Sequence, residues 1–275
     1  MSTVTLKSAR ERRVTAPSLQ RAKERGEPIT MLTAYDFTFA RIFDAAGIDV
    51  LLVGDSLGNV VQGQDTTLPV SLDEMIYHTR LVARGASRAL VVADLPFGSY
   101  QISSEDALRS AVRCVKEGAA QAVKLEGGTN VATTIERIVA AEIPVMGHVG
   151  LTPQAIHRMG GHRVQGRTED SAERVIADAH AVQEAGAFAV VLEGMPAELA
   201  RAVTQALEIP TIGIGAGVEC DGQVLVMHDM LGLSDWTPSF VKQYAGVGVT
   251  VAQAARRFAE EVRERKFPDA EHSYR

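Results

Sequence analysis

Four short apolar runs in this chain finish on a carboxylate: DVLLVGD at Asp55, ALVVAD at Asp94, AVKLE at Glu126 and FAVVLE at Glu193. A carboxylate at the last position of a buried run leaves the core just where the chain turns away. If the four runs belong to one closed sheet, the acids meet on a single rim, where they could hold a divalent cation and move protons beside it. Clustered like charges repel unless a cation or a proton compensates them, so the set says more than any member. Asp36, His148 and Asp229 occupy comparable run ends. A lone Asp there serves equally well as a cap for the next helix, but Glu126 and Glu193 are each followed by Gly and suit that purpose poorly. Lys124 precedes Glu126 by two residues and shares its face of a strand. It could neutralise the acids or grip an anionic substrate. Ser56 could offer its hydroxyl or backbone N–H to the same anion, or cap a turn. His148 either bonds to substrate or carboxylate or is a satisfied structural histidine. Hard oxygen donors without nearby thiols favour Mg²⁺ or Mn²⁺ over zinc.

The elements that must position these residues alternate without a break. Runs of Val, Leu and Ala this short read as strands buried on both faces, the pattern of a parallel sheet. Strands are expected at Ile29–Asp36, Asp49–Asp55, Ala89–Asp94, Ala122–Glu126, Ile143–Gly150, Ala189–Glu193, Ile209–Gly217 and Gln223–Asp229. A first helix is expected over Ser18–Arg25 and a last over Thr250–Lys266, with helical spacing after each strand. Ser71 and Glu74 form a capping-box pattern. Eight such alternations imply a (β/α)8 TIM barrel, α/β in class, rather than an open doubly wound sheet. The expected organisation is a single barrel domain over residues 1–275, with a short N-terminal arm and a C-terminal tail. GIGAG at Gly213–Gly217 lacks a phosphate-loop lysine and suggests close backbone packing.

At 275 residues the chain suits one such barrel. A formal charge of −6 argues against nucleic acid or an anionic membrane as partner. Two isolated cysteines, Cys114 and Cys220, suggest neither disulfides nor a thiolate metal site. Without an apolar signal core or a membrane-length apolar run, the expected location is the cytoplasm. The segment with Arg158, His162, Arg163 and Arg167 is locally basic; it reads as a solvated face or subunit contact, or less readily as a seat for an anionic cofactor tail.

Several motifs taken together resemble the ketopantoate hydroxymethyltransferase family. They are TAYD (Thr33–Asp36), LLVGDSLGNVV (Leu51–Val61), TLPVSLDEMIYHT (Thr67–Thr79), VVADLPFGSYQ (Val91–Gln101) and AVKLEGG (Ala122–Gly128). IPVMGHVGLTPQ (Ile143–Gln154), VQGRT (Val164–Thr168), AFAVVLEGMPAELA (Ala187–Ala200) and IPTIGIGAGVECDGQVLVMHDMLGL (Ile209–Leu233) complete the set. The likeness runs from about Thr15 to Pro268. It implies a Mg²⁺-dependent barrel enzyme of pantothenate biosynthesis, cytoplasmic and homodecameric. Its reaction would join the one-carbon unit of 5,10-methylenetetrahydrofolate to 3-methyl-2-oxobutanoate through a Mg-stabilised enolate, giving 2-dehydropantoate. Carried over motif by motif, Asp55 and Asp94 would be metal ligands that also meet the substrate, and Glu126 would complete or support the metal shell. Ser56 and Lys124 would contact the oxo acid, and Glu193 would be the catalytic base.

Two alternatives carry different expectations. A lyase or mutase of the phosphoenolpyruvate and isocitrate type would share a barrel and Mg²⁺-bound oxo acids, but usually carries a Lys-Cys-Gly-His type loop where this chain reads VMGHVG. A non-catalytic oxo-acid-binding barrel would be expected to lose some of Asp55, Asp94, Lys124, Glu126 and Glu193, and all five are intact.

Overall fold

The computed structural model describes residues 13–161 and 163–274. By its contacts the chain divides into two compact units, one ending at Val226 and the other beginning at Met227. The first unit contains eight parallel strands, β1 (Ile29–Thr33), β2 (Val50–Val53), β3 (Leu90–Asp94), β4 (Ala122–Lys124), β5 (Val145–Gly150), β6 (Ala189–Glu193), β7 (Thr211–Ile214) and β8 (Gly222–Leu225). They close in sequence order, with β8 pairing back to β1. The expected TIM barrel is therefore present. Its helices are α1 (Ala16–Glu24), α2 (Phe37–Ala45), α3 (Leu57–Val60), α4 (Leu72–Gly85), α5 (Ser104–Lys116), α6 (Ala132–Val139), α7 (Ile156–Met159), α8 (Glu169–Glu184) and α9 (Ala197–Ala206). The second unit contributes α10 (Met227–Met230) and α11 (Val247–Arg263).

Successive strand residues point to opposite faces, and the apolar residues separate accordingly. Val50 and Leu52, Leu90 and Val92, Ala122, Met146, Ala189 and Val191, Ile212 and Val224 form one inner cluster. Val14, ahead of α1, and Leu19 within it join this cluster. The intervening residues, among them Ala93, Val123, Val145, Val190 and Leu192, pack with the helices in a second cluster. Continuing the inner parity by two residues leads from Val92 to Asp94, Ala122 to Lys124, Met146 to His148 and Val191 to Glu193. The top inner layer is thus polar on four adjacent strands. Register keeps it level: Asp94 pairs with Lys124 across β3 and β4.

Helix starts follow local chemistry. The Ser71–Glu74 capping box opens α4, and the Thr168 hydroxyl accepts from Ser171 N–H at the start of α8. Two glycines answer close approaches. A Cβ on Gly147 would lie 2.3 Å from Val182 on α8. Gly150 has φ +94°, and a Cβ there would lie 2.4 Å from the Glu193 carbonyl oxygen, so only glycine lets the end of β5 lie against β6.

Several expected boundaries shift. The first strand stops at Thr33, because Asp36 turns out to be the N-cap of α2, accepting from Thr38 N (2.7 Å) and Phe39 N (3.0 Å). The fourth strand stops at Lys124 and leaves Glu126 on the following loop. His148 lies within β5, not after it. The eighth strand ends at Leu225, and Asp229 lies in α10, where it accepts from Ser234 Oγ (2.6 Å). Asp229 is therefore not a strand-end carboxylate. The last helix begins at Val247 and ends at Arg263.

Candidate active site

The barrel mouth gathers Asp55, Asp94, Lys124, Glu126 and His148, all buried, with Glu193 partly exposed beside them. Lys124 Nζ lies 2.9 Å from Asp94 Oδ1. The Asp55 N–H donates to Asp94 Oδ2 (3.2 Å), which ties the end of β2 to that of β3. Lys124 Nζ also lies 3.2 Å from His148 Nδ1. An ammonium only donates, so Nδ1 accepts and a neutral His148 carries its proton on Nε2. That nitrogen faces Glu193 Oε2 at 3.1 Å, off the line of an ideal hydrogen bond.

The charges are unequal. Three buried carboxylates face one ammonium. Burial pushes the Asp94 carboxyl up to about 7, with Lys124 pulling it down and Asp55 adding to the push. Glu126 is raised well above the usual carboxylate range by burial and then by Asp55. Burial opposes the Lys124 charge, but Asp94, Glu126 and Asp55 outweigh it and the pKa rises, so the ammonium persists. Burial and then the Lys124 charge lower His148, which keeps the imidazole neutral.

Gln154 organises the acids, and nothing in its residue type or strand pattern announces that role. It lies in the 3₁₀ turn Pro153–Ala155 after β5. Its Nε2 donates to Asp55 Oδ2 (2.9 Å) and Leu95 O (3.0 Å), and its backbone N–H donates to Glu126 Oε2 (3.0 Å). The Tyr100 hydroxyl donates to Gln154 Oε1 (2.8 Å) and accepts from Glu126 N–H (3.2 Å). Ser56 Oγ is 2.8 Å from the Tyr35 hydroxyl. Gln154 and Tyr100 fall inside the LTPQ and GSYQ segments, but only a turn folding back over the mouth reveals their partners.

A cleft of about 1020 Å³ opens here. Glu126, Tyr100 and Gln154 line it together with Phe97, Val164 and several arginines. His162, in the basic segment, lies outside the described residues.

Residues 13–270 match the family model described as ketopantoate hydroxymethyltransferase. The chain belongs to that family. A 3-methyl-2-oxobutanoate hydroxymethyltransferase of Syntrophotalea carbinolica is 58% identical over 96% of this chain and 99% of its own. The enzyme of the same name from Moorella thermoacetica is 58% identical over 97% of this chain and 100% of its own. Among solved structures, 2,3-dimethylmalate lyase, described as a PEP mutase/isocitrate lyase superfamily member, superposes with a TM-score of 0.60 at 20% identity, covering 94% of this chain and 91% of its own. Phosphonopyruvate hydrolase gives 0.60 at 14% identity, over 95% and 92%. These last two likenesses concern the fold alone. They place the family beside the lyases and mutases in architecture without transferring their reaction.

Proposed function

We infer that this chain is a 3-methyl-2-oxobutanoate hydroxymethyltransferase, adding the one-carbon unit of 5,10-methylenetetrahydrofolate to C3 of the oxo acid to give 2-dehydropantoate. Family membership over nearly the whole chain supports the reaction. The single geometric observation that carries it is the contrast between Glu193 and the other acids: its side chain is 16% exposed beside His148, at 4%, while the other three carboxylates are buried and held by Lys124, Gln154 and backbone N–H groups.

Glu193 is the base. It accepts the C3 proton, while the neutral His148 holds its proton toward the Glu193 carboxylate and orients it. Lys124, kept charged by its neighbours, and Ser56 hold the oxo-acid carboxylate. One carbon–nitrogen bond of the folate methylene opens to the iminium, the C3 carbanion equivalent adds to that carbon, and water replaces the remaining nitrogen. Two broken carbon–nitrogen bonds thus balance the new carbon–carbon and carbon–oxygen bonds, and tetrahydrofolate leaves with the proton. The hydroxyl oxygen of the product comes from water, because the folate carries this carbon as CH₂ between two nitrogens.

The mouth fits a hard divalent cation. Asp94 Oδ1 is buried without an aligned hydrogen-bond donor, and three buried carboxyl groups outnumber the single Lys124 ammonium, a crowding that a divalent cation relieves. Asp55 and Asp94 would hold Mg²⁺, with Glu126 supporting them directly or through water. Among the described residues no group of three or more His, Cys, Asp or Glu side chains is arranged to hold a metal alone. That suits Mg²⁺, which commonly takes one or two carboxylates and fills its other positions with water and substrate oxygens. When bound, the cation polarises the keto carbonyl as a Lewis acid.

The same reading places the enzyme in the cytoplasm with the reduced folates, and in a homodecamer. Support for self-assembly comes from α11, which has no buried residue and exposes Val251, Phe258 and Val262 at helical spacing. The test is a coupled assay of purified protein with 3-methyl-2-oxobutanoate, methylenetetrahydrofolate and Mg²⁺, with and without chelator. Chelator-sensitive formation of 2-dehydropantoate is expected. Cleavage of a carbon–carbon bond in a larger oxo acid, without one-carbon transfer, would instead favour the lyase alternative.

A further inference from the structure

The cleft that contains Glu126, Tyr100 and Gln154 is also lined by Arg158, Arg163, Arg167 and Arg174. The first three residues are buried and the four arginines are exposed, so Glu126 lies at its floor and the guanidinium groups at its mouth. In a chain of net charge −6 this is an unusual concentration: no Asp or Glu occurs from Ile143 to Thr168. Among the described residues none of the four guanidinium groups has a carboxylate partner, whereas Arg88, Arg113, Arg137 and Arg201 all do. The one acid at this part of the cleft, Asp178, is already engaged by Thr129 N (2.9 Å) and Thr129 Oγ1 (3.0 Å). Apolar side chains, among them Phe97 and Val164, both substantially exposed, also line it.

We propose that this cleft is the folate channel and that Arg158, Arg163, Arg167 and Arg174 bind the carboxylates of its poly-γ-glutamate tail. The floor presents Glu126 and Gln154, and Gln154 bonds to Asp55 of the barrel mouth; the apolar walls accept the flat ring portion, and the arginines meet the repeating negative charge beyond it. Guanidinium groups suit this task because they pair bidentately with carboxylates and stay charged at any working pH. The inference rests on hydroxymethyl transfer being the reaction.

The test compares KM for methylenetetrahydrofolate carrying one glutamyl residue with KM for the form carrying five, at low and high salt. Each exposed charge pair contributes about a factor of two in affinity, so four engaged arginines favour the longer tail by about 16-fold. High salt shrinks that ratio. The double variant Arg163→Ala, Arg167→Ala brings the ratio toward one, and Arg163→Lys, Arg167→Lys retains most of it. A wild-type ratio of one, or a ratio that the alanine pair leaves unchanged, overturns the proposal while leaving the reaction standing. Absence of transfer with both folates in the presence of Mg²⁺ overturns the reaction itself, and the proposal with it.

Discussion

At the scale of single residues, the strand-end acids differ in surroundings more than in chemistry. Asp55 and Asp94 are linked by a backbone hydrogen bond and compensated by Lys124. Glu193 lies beside the edge of a neutral imidazole and keeps partial exposure to solvent. Replacing it by Gln keeps the shape and removes the carboxylate proposed as the base. Glu193→Gln is expected to retain Mg²⁺ and oxo-acid binding while turnover falls by ~10²–10⁴. Loss of deuterium exchange at C3 of the oxo acid reports this directly, and undiminished exchange would sink the assignment. Asp94→Ala should weaken Mg²⁺ binding in a titration calorimeter; wild-type affinity and activity together would remove Asp94 from the metal site. Gln154→Ala takes a donor from the buried Asp55 and removes one acceptor of the Tyr100 hydroxyl. Hydrogen bonds to charged groups are worth about 1.5–3 kcal/mol, and an apo-protein Tm as high as wild type would contradict that role.

At the scale of elements, the site depends on how strand ends and helices are held together. Asp44, near the end of α2, binds the segment entering β3: its carboxylate accepts from Ser87 N (3.0 Å), Ser87 Oγ (2.6 Å), Arg88 N (2.9 Å) and Ala89 N (2.7 Å). Burial pushes this carboxyl up, but the hydrogen bonds from Ala89, Ser87 and Arg88 outweigh it, and the net direction is down. A group depressed in the folded state stabilises fully above its unfolded pKa, about 4, and loses that contribution as pH falls through the lower folded value. Asp44→Asn should therefore lower Tm most at neutral pH, with the gap to wild type closing below about pH 4. A gap that stays constant into acid would show that the charge of Asp44 does not matter. Gly150 acts on the catalytic side. Gly150→Ala must adopt φ +94° with a Cβ against the Glu193 carbonyl, a cost above about 1 kcal/mol. It should also displace Glu193, so kcat is expected to fall with oxo-acid binding less affected.

At the scale of the whole molecule, the closed sheet converts eight strand ends into one mouth. The proposed self-assembly is tested at the other unit. The stripe of Val251, Phe258 and Val262 on α11 is exposed, and apolar faces of this kind mark contacts with other surfaces. Phe258→Glu is expected to reduce the mass measured by light scattering on a size-exclusion column. An unchanged mass would exclude this helix from the interface.

The apolar runs, their parity and the acids that end them were legible in the chain because strand periodicity and burial are local properties. Two-residue steps from Val92, Ala122, Met146 and Val191 are enough to locate Asp94, Lys124, His148 and Glu193 on one inner layer. The family motifs carried the likeness of the whole barrel for the same reason. What followed each strand was less legible. Asp36 and Asp229 resemble the other strand-end acids by position, yet one caps α2 and the other bonds within the segment after β8. An aspartate before a helix is equally suited to capping and chemistry, and only the path of the following turn chooses between them. Gln154 was hidden further still. It meets Asp55 across 99 residues of chain, a contact created when the barrel closes and the turn after β5 folds over its mouth. The sequence by itself determined which groups could do chemistry, because type and period are written locally. Which of them share charge, and which one keeps partial exposure to solvent, was decided only by the closed sheet, because hydrogen bonding and burial depend on distances that closure sets.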